Sequence, residues 1–345
     1  MSNSKPSKDS MITRRDALKG AAAGAAILTM PNIITAADNQ FKVQGPASHK
    51  FEASESWAQI PKHISPGYTH GVCVDSQGRV YIHHTGKNSV LVFDEKGKFI
   101  KSWGDEFEGG AHGLTISKEG SEEFLYLTDT GRDVVVKTTL DGKEIYTIGL
   151  PEEAGVYNDE VAYTPTNVAI APNGDVYIAD GYGSSFIHQY SKDAKYIRTW
   201  GGKGKEDGKM NCPHGITIDQ RGAEPMVLVA DRANVRLQYF TLDGKHVKNV
   251  TNDLRHPCHF DEYKGDLLVP DLFGRVTLFD KNDKLIAHLG GDTDWNKPDQ
   301  YPNVPKETLV TGKFVSPHSA CYDADGDIFV VEWINYGRIT KLTRV

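Results

Sequence analysis

Thr164-Pro-Thr-Asn-Val-Ala-Ile-Ala-Pro-Asn-Gly-Asp-Val-Tyr-Ile178 recurs along this 345-residue chain in altered form. Tyr68-Thr-His-Gly-Val-Cys-Val-Asp-Ser-Gln-Gly-Arg-Val-Tyr-Ile82 and Ser316-Pro-His-Ser-Ala-Cys-Tyr-Asp-Ala-Asp-Gly-Asp-Ile-Phe-Val330 are full copies. Cys212-Pro-His-Gly-Ile-Thr-Ile-Asp219, Ala111-His-Gly-Leu-Thr-Ile116 and Pro257-Cys-His-Phe-Asp261 are shorter ones. Each copy alternates apolar and polar residues as a strand does, and the full copies go on through a Gly-containing turn into a second apolar run. A third run follows in most units, such as Ser89-Val-Leu-Val-Phe93 or Arg275-Val-Thr-Leu-Phe279, and then an Asp-Gly turn and a fourth. Six units with a period of about 50 residues and four short strands each predict the blades of an all-β, six-bladed β-propeller. No helical periodicity separates the strands, which excludes a parallel α/β fold. The last unit stops after its third strand. Residues 49–60 belong to no unit, and they are expected to supply its outer strand and close the ring.

Composition narrows the function classes. The chain carries 39 Lys+Arg against 46 Asp+Glu, a formal charge of −7, which argues against a nucleic-acid partner. Its 39% apolar content is too high for disorder, and four Cys are too few for a disulfide framework. Residues 1–37 read as an address. Thr13-Arg14-Arg15-Asp16-Ala17-Leu18-Lys19 precedes a short Ala/Gly-rich apolar run and resembles a twin-arginine export signal, with Ala17 in place of the usual Phe. Cleavage near Asp38 would leave a mature domain, 38–345, with 34 basic and 44 acidic residues. The protein is expected in the periplasm or secreted, off the membrane once the signal is cleaved. Its oligomeric state cannot be read from these residues.

The first residue of each innermost strand is His70, His112, Asn167, His214, His259 or His318. Innermost strands line a propeller's channel, so these positions form one circle. Five of thirteen histidines in six equivalent slots point to a metal site. Blades two, four and six alternate, which sets His112, His214 and His318 a third of a turn apart. Three converging imidazoles leave an open coordination position, as in catalytic zinc sites, although imidazole also suits iron and copper. His70, Asn167 and His259 form a second, incomplete set that could bind substrate or another ion. Asp129, Asp180, Asp231 and Asp271 recur at the ends of second strands and read as turn-forming residues. Cys73, Cys212, Cys258 and Cys321 each lie within three residues of an anchor. They read as buried small residues, with a Cys212–Cys258 bridge or thiolate ligation as alternatives.

Over about residues 60–345 the chain resembles the NHL-repeat propellers, and among them peptidyl-α-hydroxyglycine α-amidating lyase. The likeness is strongest in Pro165-Thr-Asn-Val-Ala-Ile through Asp180-Gly-Tyr182 and in Pro213-His-Gly-Ile through Ala230-Asp-Arg232. It implies zinc on His112, His214 and His318, a catalytic Tyr182 and a substrate-binding Arg232. It also implies a structural calcium on main-chain carbonyls near Val72, Leu114 and Ser319. A second active-site arginine of that family would stand where this chain has His84-Thr85-Gly86, and three of the Cys positions that form two disulfides in its animal members hold Gly183, Leu228 and Tyr239. The expected activity is a metal-dependent lyase reaction on a small hydroxylated or peptide-like substrate. Two alternatives are a redox enzyme using iron or copper in an enlarged His ring, and a non-catalytic binding scaffold.

Overall fold

The computed structural model describes residues 41–158 and 160–345; the export signal read over residues 1–37 lies outside them. Six antiparallel sheets form the ring, each running from an innermost to an outermost strand. Blade 1 comprises Thr69–Val74, Val80–His84, Val90–Phe93 and Phe99–Trp103. Blades 2 to 5 repeat the pattern, and their innermost strands are Ala111–Glu119, Asn167–Ile170, Pro213–Asp219 and Asp261–Tyr263. Blade 6 has Pro317–Tyr322, Ile328–Glu332 and Arg338–Arg344 from the C-terminal end. Its fourth strand is Phe51–Ser54, paired antiparallel with Arg338–Arg344 as Phe51↔Arg344 through Ser54↔Lys341. Val43–Gln44 adds a short fifth strand. The ring therefore closes by pairing the two ends of the described chain, as the unassigned residues 49–60 predict.

The strands are apolar on both faces because each blade is sandwiched between two others. In blade 1, Tyr81 packs towards Leu125 and Leu127 of blade 2, while Val80 and Ile82 pack towards Phe329 and Val331 of blade 6. The described core is accordingly six interblade clusters, one between each neighbouring pair. On the outside, Trp103 and Trp200 lie flat against the Asp-Gly turns of the next blade. A Cβ on Gly142 or Gly244 would meet those indoles at 2.6 and 2.7 Å, and both glycines have positive φ, 87° and 86°. That double demand explains the recurrent Asp-Gly pair.

Phe51 is fully buried in the cluster between blades 5 and 6. Phe51→Ala should cost about 3–5 kcal/mol in denaturant unfolding, as large-to-small core changes do. Exposed Glu52→Ala on the same strand should shift the midpoint by less than about 0.5 kcal/mol.

Candidate metal centre

Four of the six anchors are the extra residue of a β-bulge. Pairing in blade 1 jumps from Thr69↔His84 to Gly71↔His83, which leaves His70 unpaired. The same shift frees His112 in blade 2, His214 in blade 4 and His318 in blade 6. A bulge turns its extra residue out of the sheet's alternation, and here it aims the imidazole into the channel. Asn167 is in regular register with Ala179, and His259 precedes its strand altogether. Neither makes a ring contact with the central imidazoles.

Three imidazoles are oriented in one way. His112 Nδ1 lies 2.7 Å from Thr166 O, His214 Nδ1 2.9 Å from Cys258 O, and His318 Nδ1 2.8 Å from His70 O. A carbonyl oxygen only accepts, so each Nδ1 carries the proton and each Nε2 presents a lone pair. The ring centroids of the three are 4.8, 4.7 and 4.8 Å apart, close to an equilateral triangle. The following residue permits this approach: a Cβ on Gly113 would meet Thr166 O at 2.5 Å, and one on Gly215 would meet Cys258 O at 2.4 Å. The carbonyl that receives the imidazole proton is the atom that a larger residue would strike.

Tyr182 reaches into the triangle from the loop after the second strand of blade 3. Its hydroxyl is 3.1 Å from His112 Nε2 and 3.1 Å from His214 Nε2. One hydroxyl proton can satisfy only one of them, and His318 Nε2 is buried without any partner. Three inward lone pairs thus share a single proton, a deficit that a cation would relieve. His70, placed by sequence in the second set, joins this centre. Its ring is 4.8 Å from that of His112 and 4.5 Å from that of His318, and the ring nitrogens of these three residues all lie within 4.8 Å, close enough to hold a metal ion. Burial, reinforced by the Arg232 charge, pushes the His112 pKa down to about 3 and those of His70, His214 and His318 well below the usual value. The imidazoles are therefore neutral near pH 7, the form that ligates metals.

Arg232 sits beside Tyr182, its Cζ 5.4 Å from the ring centroid. Among the described residues no carboxylate pairs with it; its Nη2 instead approaches Cys212 Sγ at 3.3 Å, and its Nε is buried without a partner. The second-strand aspartates behave as turn residues. Asp180 accepts from the Thr164 and Ser184 amides, and Asp271 from those of Arg255 and His256. All four cysteines are free, so no Cys212–Cys258 bridge is present. His259 instead lines a cavity of about 550 Å³ below the imidazoles, with Cys73, Cys321 and Asp261. Sequence reasoning missed the bulges and the role of His70. The available signal was the residue after each histidine: Gly71, Gly113, Gly215 and the small Ser319 follow the four that converge, whereas Phe260 follows His259.

Known proteins place this arrangement in context. Peptidyl-alpha-hydroxyglycine alpha-amidating lyase 2 of Drosophila melanogaster is 31% identical over 262 residues, covering 74% of this chain and 60% of that protein. NHL repeat-containing protein 3 of Homo sapiens is 32% identical over 197 residues, covering 54% of this chain and 55% of that protein. The chain is a six-bladed propeller resembling the NHL-repeat proteins and the amidating lyases. Its matched span is little more than half the length of the human NHL repeat-containing protein. No family model matches. Among solved structures, streptogramin B lyase superposes with a TM-score of 0.59 at 15% identity, covering 86% of this chain and 98% of that one, a likeness of fold alone.

Two outcomes test this centre. His214→Ala should abolish stoichiometric metal retention and Gly215→Ala should weaken it, whereas His259→Ala should keep most of it, as read by elemental analysis of purified protein. The metal-free protein should also lose stability as pH falls below about 6.5 and continue to do so towards about 3. His112, His83 and His188 each have folded pKa values near 3, so the unfolded chain binds more protons in that window. Each contributes a slope of roughly 1.4 kcal/mol per pH unit. Asp180 and Asp261, pushed up to about 6 by burial, bind protons first in the folded state and offset part of that loss. Chemical denaturation between pH 7 and pH 4 measures the net slope.

Proposed function

We propose that this chain is an exported, metal-dependent lyase acting on a small hydroxylated substrate at the imidazole centre of the channel. The observation that carries this reading is the triangle of Nε2 lone pairs sharing one tyrosine proton, set beside a guanidinium with no carboxylate partner. His112, His214 and His318 would hold the metal, with His70 alongside. Zinc is the metal that the resemblance implies. When bound, such an ion supplies Lewis acidity towards a substrate oxygen. Burial favours the neutral phenol of Tyr182, with Arg232 acting against it; only once ionised beside a bound cation would Tyr182 take the proton of the substrate hydroxyl, its oxygen lying among the ligand nitrogens. Arg232 would grip a carboxylate through its two terminal nitrogens.

For an N-acyl-α-hydroxyglycine these roles account for the whole conversion. The hydroxyl proton passes to Tyr182, its oxygen becomes the carbonyl of glyoxylate, the carbon–nitrogen bond breaks, and the nitrogen leaves as a primary amide after taking up a proton. Thr85, at the position of the family's second arginine, binds the Tyr68 amide through its Oγ1. Arg232 would therefore hold the carboxylate alone. The calcium that the resemblance implies belongs to the same proposal: Val72 and Leu114 line the lower cavity, and Ser319 Oγ is buried without a partner. The grouping of His70 with His112 and His318 favours one second reading, a redox site in which iron or copper uses the enlarged His ring.

Protein purified through its own export route should carry one zinc per chain and convert N-benzoyl-α-hydroxyglycine to benzamide and glyoxylate. Tyr182→Phe should lower kcat by about 10²–10⁴ while retaining the metal. Redox-active iron or copper would favour the second reading, and absence of any bound transition metal would favour a binding scaffold. Lysine in place of Arg14 and Arg15 should stop export.

A further inference from the structure

Arginines after the second strands mostly meet a carboxylate. Arg236 pairs with Asp231 at 2.7 Å, Arg275 with Asp271 at 3.2 Å, Arg338 with Glu332 at 2.9 Å, and Arg132 with Asp129 at 2.5 Å. Arg232 follows Asp231 directly, yet that carboxylate is taken by Arg236, Asn234 and the Asn211 amide. Two sulfur atoms stand in its place. Cys212 Sγ is 3.3 Å from Nη2, and Cys258 Sγ is 4.0 Å from Nη1. The Cys258 thiol donates to His256 O at 3.5 Å, which leaves its sulfur lone pairs for the guanidinium.

The backbone at Cys212 is held firmly in place. Its φ is 61°, in the left-handed region that residues other than Gly, Asn and Asp seldom adopt. The conformation is held from two sides: the Cys212 amide donates to Ser185 Oγ at 3.2 Å, and its carbonyl accepts from the Arg232 amide at 3.1 Å. A glycine would fit this backbone without strain, but it would have no side chain to set against the guanidinium. A thiol is neutral near pH 7 at its ordinary pKa of about 8.5, so neither sulfur offers the arginine a counter-charge.

We propose that Cys212 and Cys258 are positioning residues that hold the Arg232 guanidinium in place without cancelling its charge, and so reserve it for a carboxylate on the substrate. An aspartate in either position would aim the arginine equally well but would occupy it. A thiol is a weak acceptor, enough to orient the fork and easily outcompeted by a carboxylate. This rests on the hydroxylated-substrate reading above and specifies it: the substrate class is one with a carboxylate next to the hydroxyl-bearing carbon.

The test compares neutral with charged replacements. Cys258→Asp and Cys212→Asp should raise KM for N-benzoyl-α-hydroxyglycine at least tenfold more than Cys258→Ser and Cys212→Ser do, with kcat falling less than about threefold and metal content unchanged. Equal effects of serine and aspartate would reduce the thiols to packing groups and overturn the proposal. A second measurement does not depend on catalysis or on the variants folding. In the parent protein, glycolate should slow alkylation of the half-buried Cys212 by iodoacetamide several-fold, whereas its uncharged analogue glycolamide should not. Equal protection by both, or by neither, would overturn the proposal. Glycolate protection without turnover would keep this inference and sink the lyase reaction; turnover with unshifted KM in the aspartate variants would do the reverse.

Discussion

The centre of the ring depends on one hydrogen bond made three times, from an imidazole Nδ1–H to the main-chain carbonyl at the start of the next inner strand. Inner strands are sheet edges, and their outward carbonyls need donors that no further strand supplies. His112 of blade 2 gives its proton to blade 3, His214 of blade 4 to blade 5, and His318 of blade 6 to blade 1. Each bond ties an even blade to the following odd one and settles the tautomer, so structural closure and metal-ligand geometry arise from the same proton. A ligand histidine whose other nitrogen is held by a carbonyl is also turned and made more basic by it. The glycine after two of these histidines belongs to the same bond, because it clears the path of the carbonyl.

Much of this was legible in the chain itself. The repeat beginning at Thr164 predicts the blades, and the orphan segment around Phe51 predicts the closure, because both follow from strand alternation and from the need to fill every blade. The triangle of His112, His214 and His318 follows from counting around a six-fold ring. What stayed hidden is register. His70 and His259 occupy the same slot of the repeat, yet only His70 lies in a bulge and faces the centre. That difference arises from pairing with the second strand, to which Gly71 is adapted and Pro257 and Phe260 are not. The partners of Arg232 were hidden for a different reason. Cys212 and Cys258 are 46 positions apart and meet only because neighbouring blades begin side by side.

The carboxylates at the blade tops show what Arg232 is not. Asp231, Asp271 and Glu332 each collect backbone amides and an arginine, with side chains fully buried. Such a pair is occupied: the carboxylate is already committed to an arginine and to loop groups. These units set the entry loops of blades 4, 5 and 6, including the residues that precede His214 and His318. They stiffen the rim without offering anything to a ligand. Arg232 lies within this layer but outside its pairing, and that distinction separates scaffold from site more sharply than position alone.

Arg232 also acts on the imidazoles. Its charge, added to burial, disfavours the protonated forms of His112, His214, His318 and His70. Burial is the larger cause for each of the four, so their neutrality does not depend on whether an anion sits at the guanidinium. The guanidinium thus adds to an effect that burial already produces, and its own distinct part is to give an arriving anion its counter-charge. Metal competence in this channel follows from buried imidazoles whose Nδ1 protons are held by carbonyls, and anion recognition from one uncompensated positive charge beside them.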